Sequence, residues 1–153
     1  MKYKLKPFKF SSHDKILNFV EKNKKVLDIG CASGYLASFL EEKNCIVDGI
    51  DIDQKSVAKA KEFCNAHVLN ISQEKIDEKY DVIILGDILE HLEHPDEILS
   101  KLRGNLNDGG YIIISLPNIV NIYPRVKILF GYFDYEEVGI FDRTHLRFFT
   151  RKS

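Results

Sequence analysis

Residues 26–34 read Val-Leu-Asp-Ile-Gly-Cys-Ala-Ser-Gly, preceded by Lys24-Lys25. The short apolar run 26–29 has the character of a buried strand, and Gly30 ends it. A helix is expected over Tyr35–Lys43, with Leu36, Phe39 and Leu40 on its inner face. Asp28 to Gly34 is therefore a strand-to-helix turn. Glycines at its two ends allow a tight turn and a close approach of backbone to ligand. The helix start offers unpaired N–H groups to a carboxylate or phosphate. The spacing is G-x-x-x-G. A dinucleotide loop would need glycine where Ala32 and Tyr35 stand, and no Gly-Lys-Ser/Thr follows to make a P-loop. Alone, such a turn is equally a plain connection.

The same alternation extends in both directions. Ser11 or Ser12 caps a helix to about Glu21, with Ile16, Leu17 and Val20 on one face. Downstream come a strand at 45–51, a helix from Gln54 to about Cys64 capped by Asp53, and a short strand at 66–70. A strand at 80–86 follows. Pro95 then opens a helix that ends near Arg103-Gly104, and the fifth strand is 110–116. Strands rich in Val, Ile and Leu between helices mean a parallel sheet covered on both faces, a doubly wound α/β fold. Ligands in such sheets bind beyond the carboxyl ends of the strands. That directs attention to 28–34, 51–53, 70–71, 86–91 and 115–118.

Asp51 ends the second strand, 21 residues after Gly30. An acid there can accept both hydroxyls of a ribose. Asp53 already serves as the helix cap, so Asp51 is free for that work. A glycine turn with this acid and without the dinucleotide spacing indicates an adenosine-bearing ligand that lacks a pyrophosphate.

With these residues in view, VLDIGCASGYLASFL and VDGIDID resemble the first two motifs of class I S-adenosylmethionine-dependent methyltransferases. YDVIILGDILEHLEHPDEIL and LNDGGYIIISLPN resemble the fourth- and fifth-strand motifs. FDRTHLRFFT (141–150) looks like a segment of a subset that acts on small substrates. The resemblance covers about residues 20–153, with every motif in order. It implies a Rossmann-like, mostly parallel sheet, S-adenosylmethionine as methyl donor and S-adenosylhomocysteine as product. Asp28 and Gly30 would lie under the methionine moiety, with Cys31 and Ala32 in the same loop and Gly34 allowing close approach. Asp51 would hold the ribose, and Ile52 would pack on the adenine. Asn70 and Ile71 would sit at the adenine edge, where many relatives carry Asp in place of Asn70. Gly86 and Asp87 would face the methionine end.

Methyl transfer from a sulfonium is mostly positioning, but a hydroxyl acceptor also needs a base or a metal. The chain lacks an Asn/Asp-Pro-Pro-Tyr/Phe motif after the fourth strand, which argues against amino groups of nucleic-acid bases. Asp87-Ile-Leu-Glu90-His91-Leu-Glu-His94 follows that strand instead, and three readings stand. His91 is a general base, since imidazole ordinarily titrates near neutrality. Or Asp87, Glu90 and His91, joined by His145, hold a divalent metal, as positions i, i+3 and i+4 share a helical face. That set resembles sites in methyltransferases of RNA-terminal ribose hydroxyls and in metal-assisted quinone-ring O-methyltransferases. Or Glu90 and His91 only shape the loop. His94 reads as a cap or an exposed residue. Beyond Pro117, Tyr123, Tyr132, Phe133, Tyr135 and Phe141 either line an acceptor pocket or pack within a helix and loop. Arg143, His145 and Arg147 alternate, and in a strand would share a face that either holds an anionic acceptor or pairs with the acidic centre.

The chain's 153 residues, 44% hydrophobic and 29% charged, suit a soluble globular domain and contain no membrane-length apolar run. No apolar stretch follows the first lysines, so the start does not read as a signal peptide. Three cysteines without CxxC spacing fit a reduced, cytoplasmic setting. Charge is uneven: net +6 over 1–25, −9 over 26–109 and +2 over 110–153. The acidic centre argues against nucleic acid as partner. We expect a basic leader and helix over 1–22 and a methyltransferase domain over 23–153. The acceptor is expected to be a small molecule, sugar-like or anionic. A nucleotide-binding dehydrogenase or epimerase, or a binding domain without activity, are the alternatives. A class I sheet has seven strands and only five are found here. The expectation is thus a chain cut short at its C-terminus, whose fifth strand has an open edge that a loop or a second subunit would cover.

Overall fold

The computed structural model describes residues 11–137 and 139–152. The Lys-rich stretch 1–10 of the expected leader lies outside the described residues. Helix α1 (Ser12–Phe19) is capped by the Ser11 hydroxyl, which accepts from Asp14 N–H at 3.1 Å. Then follow β1 (Lys25–Ile29), α2 (Tyr35–Leu40), β2 (Ile46–Asp51), α3 (Gln54–Ala60), β3 (Asn65–Val68) and β4 (Tyr80–Gly86). The chain continues through α4 (Pro95–Arg103), β5 (Leu106–Ser115) and α5 (Ile122–Leu129), with single 3₁₀ turns at Glu41–Lys43 and Leu89–His91.

All five strands run parallel in the order β3-β2-β1-β4-β5. The register sets Ile29 beside Ile50 and Leu85, so the ends of β1, β2 and β4 finish level. Each face of the sheet has its own apolar layer. Ile16, Leu17 and Val20 of α1 join Val26, Leu36, Leu40 and Val82 on one side. Leu27, Ile29, Ile83 and Leu85 meet Ile98 and Leu102 of α4 on the other. Fully burying one such side chain is worth about 1.5–3 kcal/mol, which is why strands in the centre read as unbroken apolar runs. The order of strands reverses at β1, and a crevice opens there between the loops after β1 and β4.

Several boundaries differ from expectation. Helix α3 stops at Ala60, because the Phe63 and Cys64 N–H groups turn back onto the Ala60 carbonyl at 2.8 and 3.0 Å. Strand β3 accordingly starts earlier and ends at Val68. Strand β5 begins at Leu106, across a register shift opposite Tyr80 and Val82 where Gly109 takes φ +76°. No helix among the described residues is long and apolar enough to cross a membrane.

Candidate active site

A cavity of about 690 Å³ opens at the carboxyl ends of β1, β2 and β4. Gly30, Asp51, Ile52, Asn70 and Ile71 line it together with Ile88, His91 and Leu146, and Ile88 packs directly over Gly30. Ile52 is 74% exposed and sits at the rim. Of the other residues singled out in the first loop, Cys31, Ala32 and Gly34 shape it from behind. The Gly30 and Cys31 N–H groups donate to the Ile50 carbonyl, and Gly34 N–H donates to that of Cys31. Gly30, Ala32 and Gly34 all take positive φ, at +75°, +44° and +79°. Gly34 also lies so close to α3 that a Cβ would come within 3.0 Å of Ala60 Cα.

Asp51 ties the loops together. Its Oδ2 accepts from Ala32 N–H and its Oδ1 from Asp53 N–H, both at 2.9 Å. Asp53 in turn caps α3 by accepting from Ser56 N–H at 2.9 Å, as the sequence suggested. Asp28, at the end of β1, is only 2% exposed. Burial, reinforced by the nearby charge of Asp51, pushes its carboxyl up to about 7. Asn70 closes a turn: its Oδ1 accepts from Ser72 N–H at 3.0 Å, leaving one lone pair on that oxygen for a ligand.

The loop after β4 corrects one expectation. Asp87 does not join the metal-type set of Glu90, His91 and His145. It takes φ +55° and turns toward β5, where its Oδ1 accepts from the Ser115 hydroxyl at 2.9 Å. The helical-face argument failed because residues 89–91 form one 3₁₀ turn that does not extend back to 87. Gly86 faces Ile16 and Ser115 and does not line the cavity.

Glu90, His91 and His145 do come together, although His145 lies far downstream of the other two in sequence. Their ligand-type atoms all lie within 4.8 Å of one another. Glu90 is fully buried, and neither carboxylate oxygen has a hydrogen-bond partner among the described residues. Burial raises its pKa. His145 Nε2 stands 3.9 Å from Glu90 Oε1, and the two imidazole rings meet edge to face at 4.9 Å. The 140–147 segment is pinned to this turn, since Leu146 and Arg147 N–H both donate to the Glu90 carbonyl, at 2.8 and 3.2 Å. Sequence reading missed Thr144, whose carbonyl and hydroxyl both reach His91, and Leu146, which lines the cavity.

On the acceptor side the residues divide between packing and solvent. The 143–147 segment is not a strand: His145 turns inward, Arg143 is exposed, and Arg147 donates to the Glu93 carbonyl at 2.6 Å. Phe141 is completely buried against Phe133, so it packs the loop and is not part of the cavity lining. Tyr123, Tyr132 and Tyr135 are each more than half exposed and stand outside the cavity wall. His94 is exposed and occupies the N-cap position of α4 without a side-chain cap bond.

Known proteins resemble this arrangement. A ubiquinone biosynthesis O-methyltransferase of Glaesserella parasuis is 32% identical over 108 residues, covering 62% of this chain and 46% of that protein. One of Coxiella burnetii is 29% identical over 105 residues, covering 63% and 45%. The chain spans about half the length of these curated relatives. Among solved structures, a TehB-like SAM-dependent methyltransferase of Corynebacterium glutamicum superposes with a TM-score of 0.60 at 27% identity, covering 67% of this chain and 59% of that one. A SAM-dependent methyltransferase of Archaeoglobus fulgidus shares the fold at TM-score 0.70 and 22% identity, covering 90% and 60%. Residues 2–153 match the methyltransferase-domain family Methyltransf_23, and the chain belongs to that family.

Proposed function

We propose that the protein transfers the methyl group of S-adenosylmethionine to an oxygen of a small-molecule acceptor, sugar-like or a ring hydroxyl. The observation that carries this reading is the buried Asp28 beside the cavity-lining Asp51, at the ends of adjacent strands. A carboxyl buried like Asp28 favours a cationic neighbour, and the methionine ammonium is one. Asp51 has lone pairs left to accept from ribose hydroxyls, while Ile88 packs directly over Gly30. Bound here, S-adenosylmethionine supplies an electrophilic methyl on sulfur. The name of the ubiquinone-pathway relatives supports oxygen as the receiving atom.

His91 lines the same cavity and serves as general base for the acceptor hydroxyl. As the C–S bond breaks and the C–O bond forms, the hydroxyl proton passes to the imidazole. Glu90 and His145 stand behind it and stabilise the imidazolium. Calorimetry with S-adenosylhomocysteine and, separately, NAD tests the cofactor. Binding of NAD alone would favour the dehydrogenase or epimerase alternative, and binding without turnover on any acceptor a non-catalytic domain.

A second reading is favoured by one observation, the two unpartnered oxygens of buried Glu90. Glu90, His91 and His145 are a carboxylate and two imidazoles, a donor set suited to a divalent cation. Such an ion would make the acceptor hydroxyl more acidic. Turnover lost on chelation and regained with added metal supports this; turnover indifferent to chelator removes it. The three cysteines are free thiols, which supports a cytoplasmic setting. The outer edge of β5 supports a homodimer, and a monomer in sedimentation would remove that part of the reading.

A further inference from the structure

His91 is held from outside its own loop. Its Nδ1 lies 3.2 Å from the Thr144 carbonyl oxygen and 3.1 Å from Thr144 Oγ1. A carbonyl has no hydrogen to give, so in the neutral ring Nδ1 must carry the hydrogen. The Thr144 hydroxyl has one hydrogen, and two acceptors compete for it. Asp142 Oδ1, at 2.7 Å, is a carboxylate and the stronger acceptor. Thr144 Oγ1 is thereby turned to accept from His91. The same Asp142 oxygen also accepts from Thr144 N–H at 2.8 Å, so Thr144 is fixed at backbone and side chain together. The Thr144 bonds hold the Asp142 carboxyl below its ordinary pKa, consistent with a charged acceptor. A neutral imidazole with its hydrogen on Nδ1 leaves Nε2 with a free lone pair. His145 is oriented by the same device, its Nδ1 lying 3.2 Å from the Ile140 carbonyl.

We propose that Thr144, backed by Asp142, is a positioning residue that fixes the tautomer of His91 and leaves Nε2 as its proton-accepting atom. This rests on the reading of His91 as the base, and it adds to that reading the segment that makes the base competent. A histidine in the other tautomer would present N–H to the acceptor hydroxyl and could not take its proton.

The test uses the full ¹⁵N-labelled chain and long-range imidazole ¹H–¹⁵N correlation, with the His91 signals assigned by their loss in His91→Gln. The wild-type ring is expected to show a protonated Nδ1 and a bare Nε2. Thr144→Val keeps the shape and the carbonyl but removes the hydroxyl. It is expected to raise the share of the other tautomer and to lower kcat about tenfold, less than the roughly hundredfold or more that loss of a general base costs, with KM for S-adenosylmethionine unchanged. Thr144→Ser, which retains the hydroxyl, should restore both. A wild-type ring protonated on Nε2 overturns the proposal, and so does an unchanged tautomer or an unchanged kcat in Thr144→Val. If the wild type transfers no methyl to any acceptor, the function assigned to His91 falls and this proposal with it, while the spectrum still reports the tautomer.

Discussion

Asp28→Asn should stabilise the protein, and the gain should depend on pH in a direction the structure dictates. The carboxyl is driven up by burial and then by the charge of Asp51, from an ordinary 3.8 to about 7 in the folded state. A folded-state pKa above the unfolded one means that the folded protein holds the proton more tightly. The stability from this group is fully present below about pH 4 and is lost as pH rises through about 7. Each pKa unit is worth about 1.4 kcal/mol, so the whole loss is about 4 kcal/mol. Asparagine does not titrate and avoids it. Between pH 5 and pH 8 the stability gap between variant and wild type should therefore widen by about 3 kcal/mol in favour of Asn. Urea unfolding of both proteins at the two pH values measures this directly, because carboxyls common to both cancel. With a slope of about 1–3 kcal/mol/M, the midpoint difference should move by at least about 1 M. A gap equal at the two pH values would refute the reasoning. S-adenosylhomocysteine should narrow the gap at pH 8, since a cation beside Asp28 binds the wild type and not the variant.

Glu90→Leu should raise stability by about 1–3 kcal/mol, as it removes a buried carboxylate without partners, while abolishing methyl transfer. A lower melting temperature would show that Glu90 is held by something other than the unpaired geometry. Asp51→Ala should weaken S-adenosylhomocysteine binding more than tenfold by calorimetry, through lost ribose acceptors and a loosened loop; unchanged affinity would exclude the ribose role. Gly34→Ala should cost about 1–3 kcal/mol in thermal unfolding. The new Cβ meets the α3 backbone, and φ is +79°. A neutral effect would mean that α3 can shift.

Strands β1, β2 and β4 were legible because a strand buried on both faces must be apolar along its length. The cavity lining was legible for a related reason: Gly30, Asp51 and Asn70 sit where parallel strands end, and chain order alone places those ends. The Glu90–His91–His145 cluster was harder. Residue types named its members, but only tertiary packing decides that His145 swings inward while Arg143 and Arg147 stay out. Period-two alternation promised a shared face, and it failed because the segment is fixed by hydrogen bonds to the Glu90 carbonyl and has no ladder of its own. Asp87 was misplaced by assuming an α-helical face where a residue with φ +55° leads into a single 3₁₀ turn. Thr144 could not be picked out, since a lone loop hydroxyl carries no sign of the His91 ring that it reaches across 53 positions of sequence.

Asp28 and Glu90 are the same physical device used twice. Each is a buried carboxyl at the end of a central strand or in the loop just after one, and each has its pKa raised by burial. A fold selected for stability alone would place a leucine or an asparagine at either position. Both acids are therefore informative about ligand. Asp28 sits near Asp51, to which the proposed function assigns the ribose, and a cation arriving there would relieve the charge that burial and Asp51 disfavour. Glu90 sits behind His91, and a proton gained by that ring, or a divalent ion, relieves the other. Both cationic species belong to one reaction, a positively charged donor at one end of the cavity and a proton released from the acceptor at the other. The destabilisation at each acid is thus the ground-state counterpart of the charge that the proposed chemistry brings to it.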